Sequence, residues 1–411
     1  MRGLDRMIHD NRTGLIKILL QKELNILFFS AFLIMLNLFT LLNLLPLYVV
    51  HNGGSAFSAG IQNAIFNISA VALRFYFGPI ADTKGRKLLL LMGSFVFATA
   101  PLFIWVSHSY WLQIFARIYY AIGLATFLSS ASSAVADYTP VQYRGIMIGL
   151  YRSILSIALM LGPSLGLKLI NTSGYDALFI FSSGICFISF ILIFFLPADK
   201  RTAQEISNEP VAQTSIRLLL KKPVLLRAYA GVSIISLSSG ILFAYLTMYA
   251  LSKGFIGNPG VYFTIFAGVG ALTTACSGYL SDHFGRERVI YPSFICLGLG
   301  LSLLSIFSLD RSYLFYFSAV FSGIGHSSAL ASLIAWIVDH ADDKARATAL
   351  SLQESAIDMS MAFGAFLFGM GTIRLEMSTL YLLLGLITIV LPFSFSRISA
   401  SQKSDVSKQF G

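Results

Sequence analysis

The sequence predicts an all-α membrane protein with twelve transmembrane helices in two pseudo-symmetric bundles of six. Three observations support this fold class. The composition is strongly apolar, apolar runs recur along the whole chain, and landmarks of the first half recur about 200 residues later in the second. The recurrence indicates that the two bundles are repeats of one unit.

The composition excludes an ordinary soluble protein. Hydrophobic residues make up 56% of the 411 residues and charged residues only 12%, and the mean hydropathy is +0.75. That leaves too little polar surface to face water on all sides. The net charge of +10 raises the question of nucleic acid. The basic residues are not gathered on a patch beside aromatic residues, so no nucleic-acid partner is expected.

The apolar runs predict the individual spans. A spanning helix needs roughly 20 mainly apolar residues. The twelve predicted spans are 25–49, 57–79, 87–107, 110–135, 143–168, 175–197, 224–250, 259–280, 289–309, 312–338, 347–371 and 377–396. The corresponding domains are a cytoplasmic N-terminal segment (1–24), a first six-helix bundle (25–198), a cytoplasmic linker (199–222), a second six-helix bundle (223–397) and a cytoplasmic tail (398–411).

The basic residues predict the orientation. With the N-terminus in the cytoplasm, 22 of the 29 Lys and Arg residues lie on the cytoplasmic side and 4 on the opposite side. Cytoplasmic excess of Lys and Arg sets topology. We therefore expect a multi-pass protein of the cell (inner) membrane with both termini cytoplasmic. The remaining three, Arg74, Arg117 and Arg152, fall inside predicted spans.

The internal repeat is clearest in the loops. The motif after the second span recurs after the eighth with an offset of 200, and an Asp–Arg pair seven residues apart recurs with an offset of 202. The motif copies are Gly78, Asp82, Gly85, Arg86 and Gly278, Asp282, Gly285, Arg286; the pairs are Asp137, Arg144 and Asp339, Arg346. Parallel repeats of this kind place a substrate near the bilayer midplane, at the interface between repeats.

The loop motif, Gly-x-x-x-Asp-x-x-Gly-Arg followed by a basic residue, resembles the signature of the major facilitator superfamily. The resemblance implies that this cluster closes the cytoplasmic side in one conformation. The glycines permit a tight turn, and Asp82 is expected to cap a helix or pair with an Arg. The expected cytoplasmic gate consists of Gly78, Asp82, Gly85, Arg86, Arg144, Gly278, Asp282, Gly285, Arg286 and Arg346.

The fifth span contains a second resemblance. Gly162, Pro163 and Gly166 resemble the helix-5 motif of the twelve-helix drug/metabolite:proton antiporter branch, with Ala158 in place of its first glycine. The branch exports compounds in exchange for protons. Small residues and a proline also permit tight helix packing and a kink, so a purely structural role stays open.

Two carboxylates lie well inside a span. Glu354 and Asp358 are four residues apart and share one helix face. Each costs ~2.5–3.5 kcal/mol on insertion scales, which favours a function. We expect Asp358 to bind the coupling proton, and Glu354 to form and break an ion pair with Arg152, its counterpart at the offset of 202. Arg117 completes the expected proton-coupling set, because the fourth helix lines the cavity in the family. A fixed structural ion pair is the alternative.

Uncharged polar and aromatic residues in the spans are candidates for substrate contact. These are Asn37, Asn43, Tyr120, Tyr245, His326 and Trp336. For His326 a structural hydrogen bond is the alternative. No metal site is expected, since the three cysteines lack Cys-x-x-Cys spacing.

The predicted function is secondary active transport of a small solute by alternating access. No span contains a nucleophile with its base, so an enzyme is not expected. Proton-coupled export (antiport) of a drug-like compound or metabolite is the first hypothesis, and proton-coupled uptake (symport) of a small metabolite is the alternative. The expected partners are the solute, protons and the lipid bilayer. The proton gradient supplies the energy with no cofactor, and the chain is expected to be monomeric.

Overall fold

The structure is a computed structural model that describes residues 18, 20–107, 109–197, 216–342 and 345–392. Long helices follow one another through the described chain. In the first half they are α1 (Lys22–His51), α2 (Ala56–Lys84), α3 (Arg86–Val106), α4 (Tyr110–Tyr138) and a 51-residue helix over Arg144–Phe194. In the second half they are α7 (Pro223–Ser252), α8 (Val261–Phe284), α9 (Arg286–Ser305), α10 (Tyr313–His340), α11 (Arg346–Gly371) and α12 (Met377–Pro392).

The 51-residue helix is two spans joined by one residue. Gly174 has φ 81° and ψ −178°, a backbone conformation that interrupts the helix and that only glycine adopts readily. We name residues 144–173 α5 and residues 175–194 α6. The break lies between the predicted spans 143–168 and 175–197.

Twelve spans account for the long helices of the described residues, and a short helix, Ile216–Lys221, precedes α7. Among the described residues, nine helices are long and apolar enough to cross a membrane. One of the nine is Arg144–Phe194, which contains both α5 and α6, so these nine helices correspond to ten spans. The remaining two spans are α12, a shorter apolar helix, and α11, which contains Glu354 and Asp358. The predicted all-α fold with twelve helices is confirmed.

The tight turn of the repeated motif lies at its second glycine in both halves. Gly85, between α2 and α3, has φ 88°, and Gly285, between α8 and α9, has φ 95°. Both values lie in the left-handed region that favours glycine. The helix before each turn therefore runs to Lys84 in the first copy and to Phe284 in the second, so most of the loop motif is helical.

The chain divides into two compact units. The first consists of Met1–Leu41 and Ser69–Pro210, and the second of Leu42–Ile68 and Val211–Gly411. We call the membrane side on which α1 begins inner, and the opposite side outer. The outer parts of α1 and α2 thus belong to the unit of the C-terminal helices, whereas the sequence-based bounds place them in the first bundle.

Small residues set the helix packing inside the second unit. A Cβ at Gly325 of α10 would lie 2.3 Å from the backbone nitrogen of Leu297 on α9. A Cβ at Gly298 of α9 would lie 2.6 Å from the carbonyl oxygen of Gly385 on α12. These helices touch backbone to backbone, which is how small residues promote association within a membrane.

A lysine joins two helices at the inner side of the first unit. Lys87, in the first turn of α3, donates hydrogen bonds from Nζ to the carbonyl oxygens of Phe194, at 3.0 Å, and Leu196. Those carbonyls lie at the end of α6, where a helix leaves acceptors without intrahelical partners. At the offset of 200, the second half has Glu287 instead of a lysine.

Candidate functional site

Each unit has an ion pair at its inner side, between the start of one helix and the end of another. In the first unit Arg86 Nε donates to Asp137 Oδ2 at 2.5 Å, joining α3 to α4. In the second unit Arg286 Nε donates to Asp339 Oδ2 at 2.9 Å, joining α9 to α10. The side chains are 15% and 27% exposed in the first pair, and 21% and 46% in the second. The sequence repeat is therefore also a repeat of contacts.

Arg286 has further partners in the second copy of the motif. Its Nη1 bonds to Asp282 and, at 2.7 Å, to the hydroxyl of Ser281. Pairing of the motif Asp with an Arg, as expected for the first copy, is thus seen within the second. Gly78 and Asp82 lie in α2, but their burial and the side-chain contacts of Asp82 fall outside what the structure describes. A Cβ at Gly278 would meet nothing within 4 Å.

The second Arg of each repeat binds the end of the preceding helix. Arg144 Nε donates to the carbonyl oxygens of Ala136 at 3.0 Å and Thr139 at 3.3 Å, at the end of α4. Arg346 Nε donates to the carbonyl oxygen of Val338 at 3.4 Å, near the end of α10. Cations at this position offset the negative end of the helix dipole.

Sequence reasoning did not assign the partners Asp137 and Asp339. A signal was available, because the Arg after each tight turn and the Asp at the end of the following hairpin recur together, with offsets of 200 and 202. Opposite charges that recur together at helix ends on one side of the membrane are candidates for pairing.

The predicted coupling residues belong to both units. Glu354 and Asp358 are half-buried on α11 of the second unit, and Arg152 is exposed on α5 of the first. The ion pair of Glu354 with Arg152 stays a prediction. Arg117 is only 1% exposed, on α4 of the first unit. A guanidinium so deep in a helical unit needs polar neighbours, because an uncompensated charge is costly to bury.

Two predicted cavity residues form a polar cluster in the core of the first unit. Asn37 donates from Nδ2 to the carbonyl oxygen of Phe97 at 3.2 Å and to Cys186 Sγ at 2.7 Å. Tyr120 donates its hydroxyl hydrogen to Asn37 Oδ1 at 3.2 Å. Tyr120 is one helical turn from Arg117 and fully buried. The cluster thus gives Arg117 a polar setting.

The other predicted cavity residues lie in the second unit. His326 and Trp336 are half-buried on α10, while Asn43 and Tyr245 are buried. His326 Nδ1 lies 3.0 Å from the hydroxyl of Ser239 on α7, and its ring lies 5.3 Å from that of Phe266 on α8. His326 is therefore hydrogen-bonded and still partly accessible.

The helix-5 motif packs α5 against α1. A Cβ at Gly162 would lie 3.0 Å from Thr40 Oγ1 and 3.1 Å from the carbonyl oxygen of Leu36. Pro163 and Gly166 are also buried, and the helix continues through the proline. The motif thus lies at a tight helix contact within the first unit.

The second unit has a cavity of about 530 Å³ at its outer side. It lies between the start of α2 and the turn from α11 to α12. Its lining residues are Ser55, Ala56, Phe57, Thr372, Ile373, Arg374, Leu375, Glu376 and Met377.

The twelve spans define a multi-pass membrane protein, and its family is one of transporters, not of enzymes. The chain belongs to the Major Facilitator Superfamily, whose model matches residues 27–274 and 250–410.

Two curated relatives and one solved structure add detail. The chain is 26% identical to the multidrug resistance protein MdtG of Proteus mirabilis (strain HI4320), over 71% of this chain and 74% of that protein. It is 29% identical to MdtG of Salmonella paratyphi B, over 61% of this chain and 64% of that protein. A crystal structure of a mutant of the nucleoside transporter NupG matches with a TM-score of 0.77 and 14% identity, over 91% of this chain and 99% of that one. This structural match bears on the fold alone.

Proposed function

We propose that this transporter exports a small amphipathic compound in exchange for protons. The observation on which the proposal rests is the pair of carboxylates in α11. Glu354 and Asp358 lie one turn apart on one helix face and are half-buried as residues, and Oδ2 of Asp358 is itself buried. Ionisable residues within spans mark ion pathways by default.

The coupling works through the environment of Asp358. Low dielectric favours its neutral form, and contact with water or a cation favours its charged form. Exposure to one side of the membrane and then the other lets Asp358 bind a proton on one side and release it on the other. Glu354 and Arg152 pair in one conformation only. Arg117 supports this exchange from the first unit. The proton gradient supplies the energy without a cofactor.

Export is supported by two further observations. The helix-5 motif, Gly162 to Gly166, resembles that of proton-driven exporters and lies at the contact of α5 with α1. The relatives in Proteus and Salmonella are named multidrug resistance proteins.

His326 and Trp336 provide partly accessible polar and aromatic surface on α10 for an amphipathic compound. The protein works as a monomer in the cell membrane with both termini in the cytoplasm.

The test uses purified protein in liposomes with an imposed pH gradient. Amphipathic compounds that raise the thermal stability of the protein are the transport probes, and a pH-sensitive dye in the lumen reports proton movement. Asp358→Asn is expected to abolish both gradient-driven transport and substrate-induced proton movement, and to retain exchange of labelled for unlabelled compound. Asp310→Asn, the same change at an exposed residue of the turn after α9, is the control and is expected to behave as wild type.

Two outcomes count against the proposal. Gradient-driven transport that survives in Asp358→Asn removes this residue from the coupling. Accumulation in intact cells, together with proton flow in the same direction as the compound, replaces antiport by symport. Everted vesicles distinguish the two directions, because an exporter fills them when their lumen is acidic.

A further inference from the structure

We propose that Tyr245 is the latch of the outer gate, and that its hydrogen bond to the start of α2 breaks and re-forms in each transport cycle. We define the outer latch as Tyr245, Gly60, Gly369 and the carbonyl groups of Ala56 and Ala365. The inference rests on the alternating access in the proposed function, but not on the coupling ion or on the direction of transport.

The hydroxyl of Tyr245 joins two helices to α7. It donates to the carbonyl oxygen of Ala365 on α11 at 2.9 Å and to that of Ala56 on α2 at 3.2 Å. One hydroxyl hydrogen is shared between the two acceptors, because a tyrosine has a single O–H donor. The side chain is fully buried, and its ring lies 4.8 Å from that of Phe368. The hydroxyl is thus held at one point between α2 and α11.

Both helices are shaped to receive this hydroxyl. Each has a glycine four residues after the bonded carbonyl: Gly60 after Ala56, and Gly369 after Ala365. A Cβ at Gly60 would lie 2.0 Å from the Tyr245 hydroxyl oxygen, and one at Gly369 would lie 2.4 Å from it. Real Cβ contacts are not so short. Residues larger than glycine at either position would therefore displace the hydroxyl.

The contact joins the two sequence repeats. Ala56 and Gly60 belong to the first repeat, whereas Tyr245, Ala365 and Gly369 belong to the second. Alternating access by relative motion of the repeats requires contacts between them to open on one side while they close on the other. A Cβ at Gly60 would also lie 2.7 Å from the carbonyl oxygen of Ala365, so α2 and α11 meet there at backbone distance.

The latch is weak enough to open in each cycle, because its bond to α2 is a single hydrogen bond. A single hydrogen bond shifts a conformational equilibrium by about three- to tenfold in net terms. Ala56, whose carbonyl is bonded to Tyr245, and Phe57 both line the cavity of about 530 Å³. Water in this cavity can take over the freed hydrogen bonds when the latch opens, which lowers the cost of opening.

The same helix provides a matched control. Tyr249, one turn after Tyr245 on α7, is also buried, and its hydroxyl bonds to the carbonyl oxygen of Leu304 at 2.6 Å and to the hydroxyl of Ser378 at 3.2 Å. All of these partners lie in the second sequence repeat. Tyr249→Phe and Tyr245→Phe therefore remove the same group from the same helix, but only Tyr245→Phe removes a bond between repeats.

The test measures the outer gate directly by pulsed electron paramagnetic resonance. Spin labels are attached at Asn52→Cys, after α1, and Ile373→Cys, after α11, in full-length protein whose three native cysteines are replaced. Both sites are exposed. We expect Tyr245→Phe to raise the population with the longer label distance by about three- to tenfold. Gly60→Ala is expected to do the same, whereas Tyr249→Phe leaves the distribution as in the wild type.

Equal distance distributions for Tyr245→Phe, Gly60→Ala and the wild type overturn the proposal, as does an equal response to Tyr249→Phe. Thermal unfolding is measured for each variant, and Gly60→Ala provides the test if Tyr245→Phe does not fold. The distance measurement needs neither substrate nor a pH gradient. A failure of the transport assay with an intact distance response therefore refutes proton-coupled export and leaves the latch in place.

Discussion

Replacement of Gly325 by alanine is expected to destabilise the second unit. The new Cβ would lie 2.3 Å from the backbone nitrogen of Leu297 and 2.5 Å from the carbonyl oxygen of Ser293, both on α9. Ordinary contacts begin at 3.4 Å, so the two backbones would have to separate by about 1 Å. Neither atom belongs to a flexible side chain that could rotate away. Overpacking of this kind costs about 1–3 kcal/mol.

The assay is equilibrium unfolding of purified protein in mixed micelles, with the midpoint and slope recorded for each variant. The control is Gly184→Ala on α6, where a Cβ meets nothing within 4 Å. There, alanine is expected to add about 0.5–1 kcal/mol of stability, because glycine is the poorer residue in a helix interior. Equal midpoints for Gly325→Ala and Gly184→Ala would refute the conclusion that the glycines of α10 set its distance from α9.

The remaining predictions concern the inner ion pair and the helix-5 motif. Asp137→Arg is expected to lower the unfolding midpoint, and the charge reversal Arg86→Asp/Asp137→Arg is expected to recover much of the loss. For a partly exposed pair we expect a coupling energy of ~1 kcal/mol in the double-mutant cycle. Strictly additive effects of the two changes would contradict the ion pair. Gly162→Leu is expected to lower the free energy of unfolding by about 1–3 kcal/mol, because its side chain would enter the contact of α5 with α1. Gly149→Ala, where a Cβ meets nothing within 4 Å, is expected to raise it by about 0.5–1 kcal/mol, as for Gly184→Ala. An unaltered midpoint in Gly162→Leu would remove the packing role of the motif.

The sequence was a good guide to the spans and a poorer one to helix ends. The predicted span 110–135 corresponds to Tyr110–Tyr138, and 57–79 to Ala56–Lys84. Hydropathy reports the thickness of the hydrocarbon layer, whereas a helix continues until its backbone turns. Asp82 and Lys84 are therefore helical although they are polar, and the helix ends at Lys84, just before the turn at Gly85.

The residues of the candidate site could be predicted where a sequence motif is repeated in both halves of the chain. Arg86 and Arg286 were identified because their motif is repeated, but their partners Asp137 and Asp339 depend on which helix ends meet. Tyr245 was selected as an aromatic residue in a span, and nothing in its neighbourhood indicated a bond to Ala56. That contact depends on glycines distant in sequence, whose role is visible only when α2 and α11 lie side by side.

The bonds of Lys87 have a mechanical consequence. The connection between the two sequence repeats starts just after Leu196, and the Lys87 amine holds the carbonyls of Phe194 and Leu196. Unwinding of the last turn of α6 would therefore have to break the bonds to Lys87 as well as the helix's own hydrogen bonds. The first turn of α3 also contains Arg86, whose ion pair with Asp137 attaches the same turn to α4.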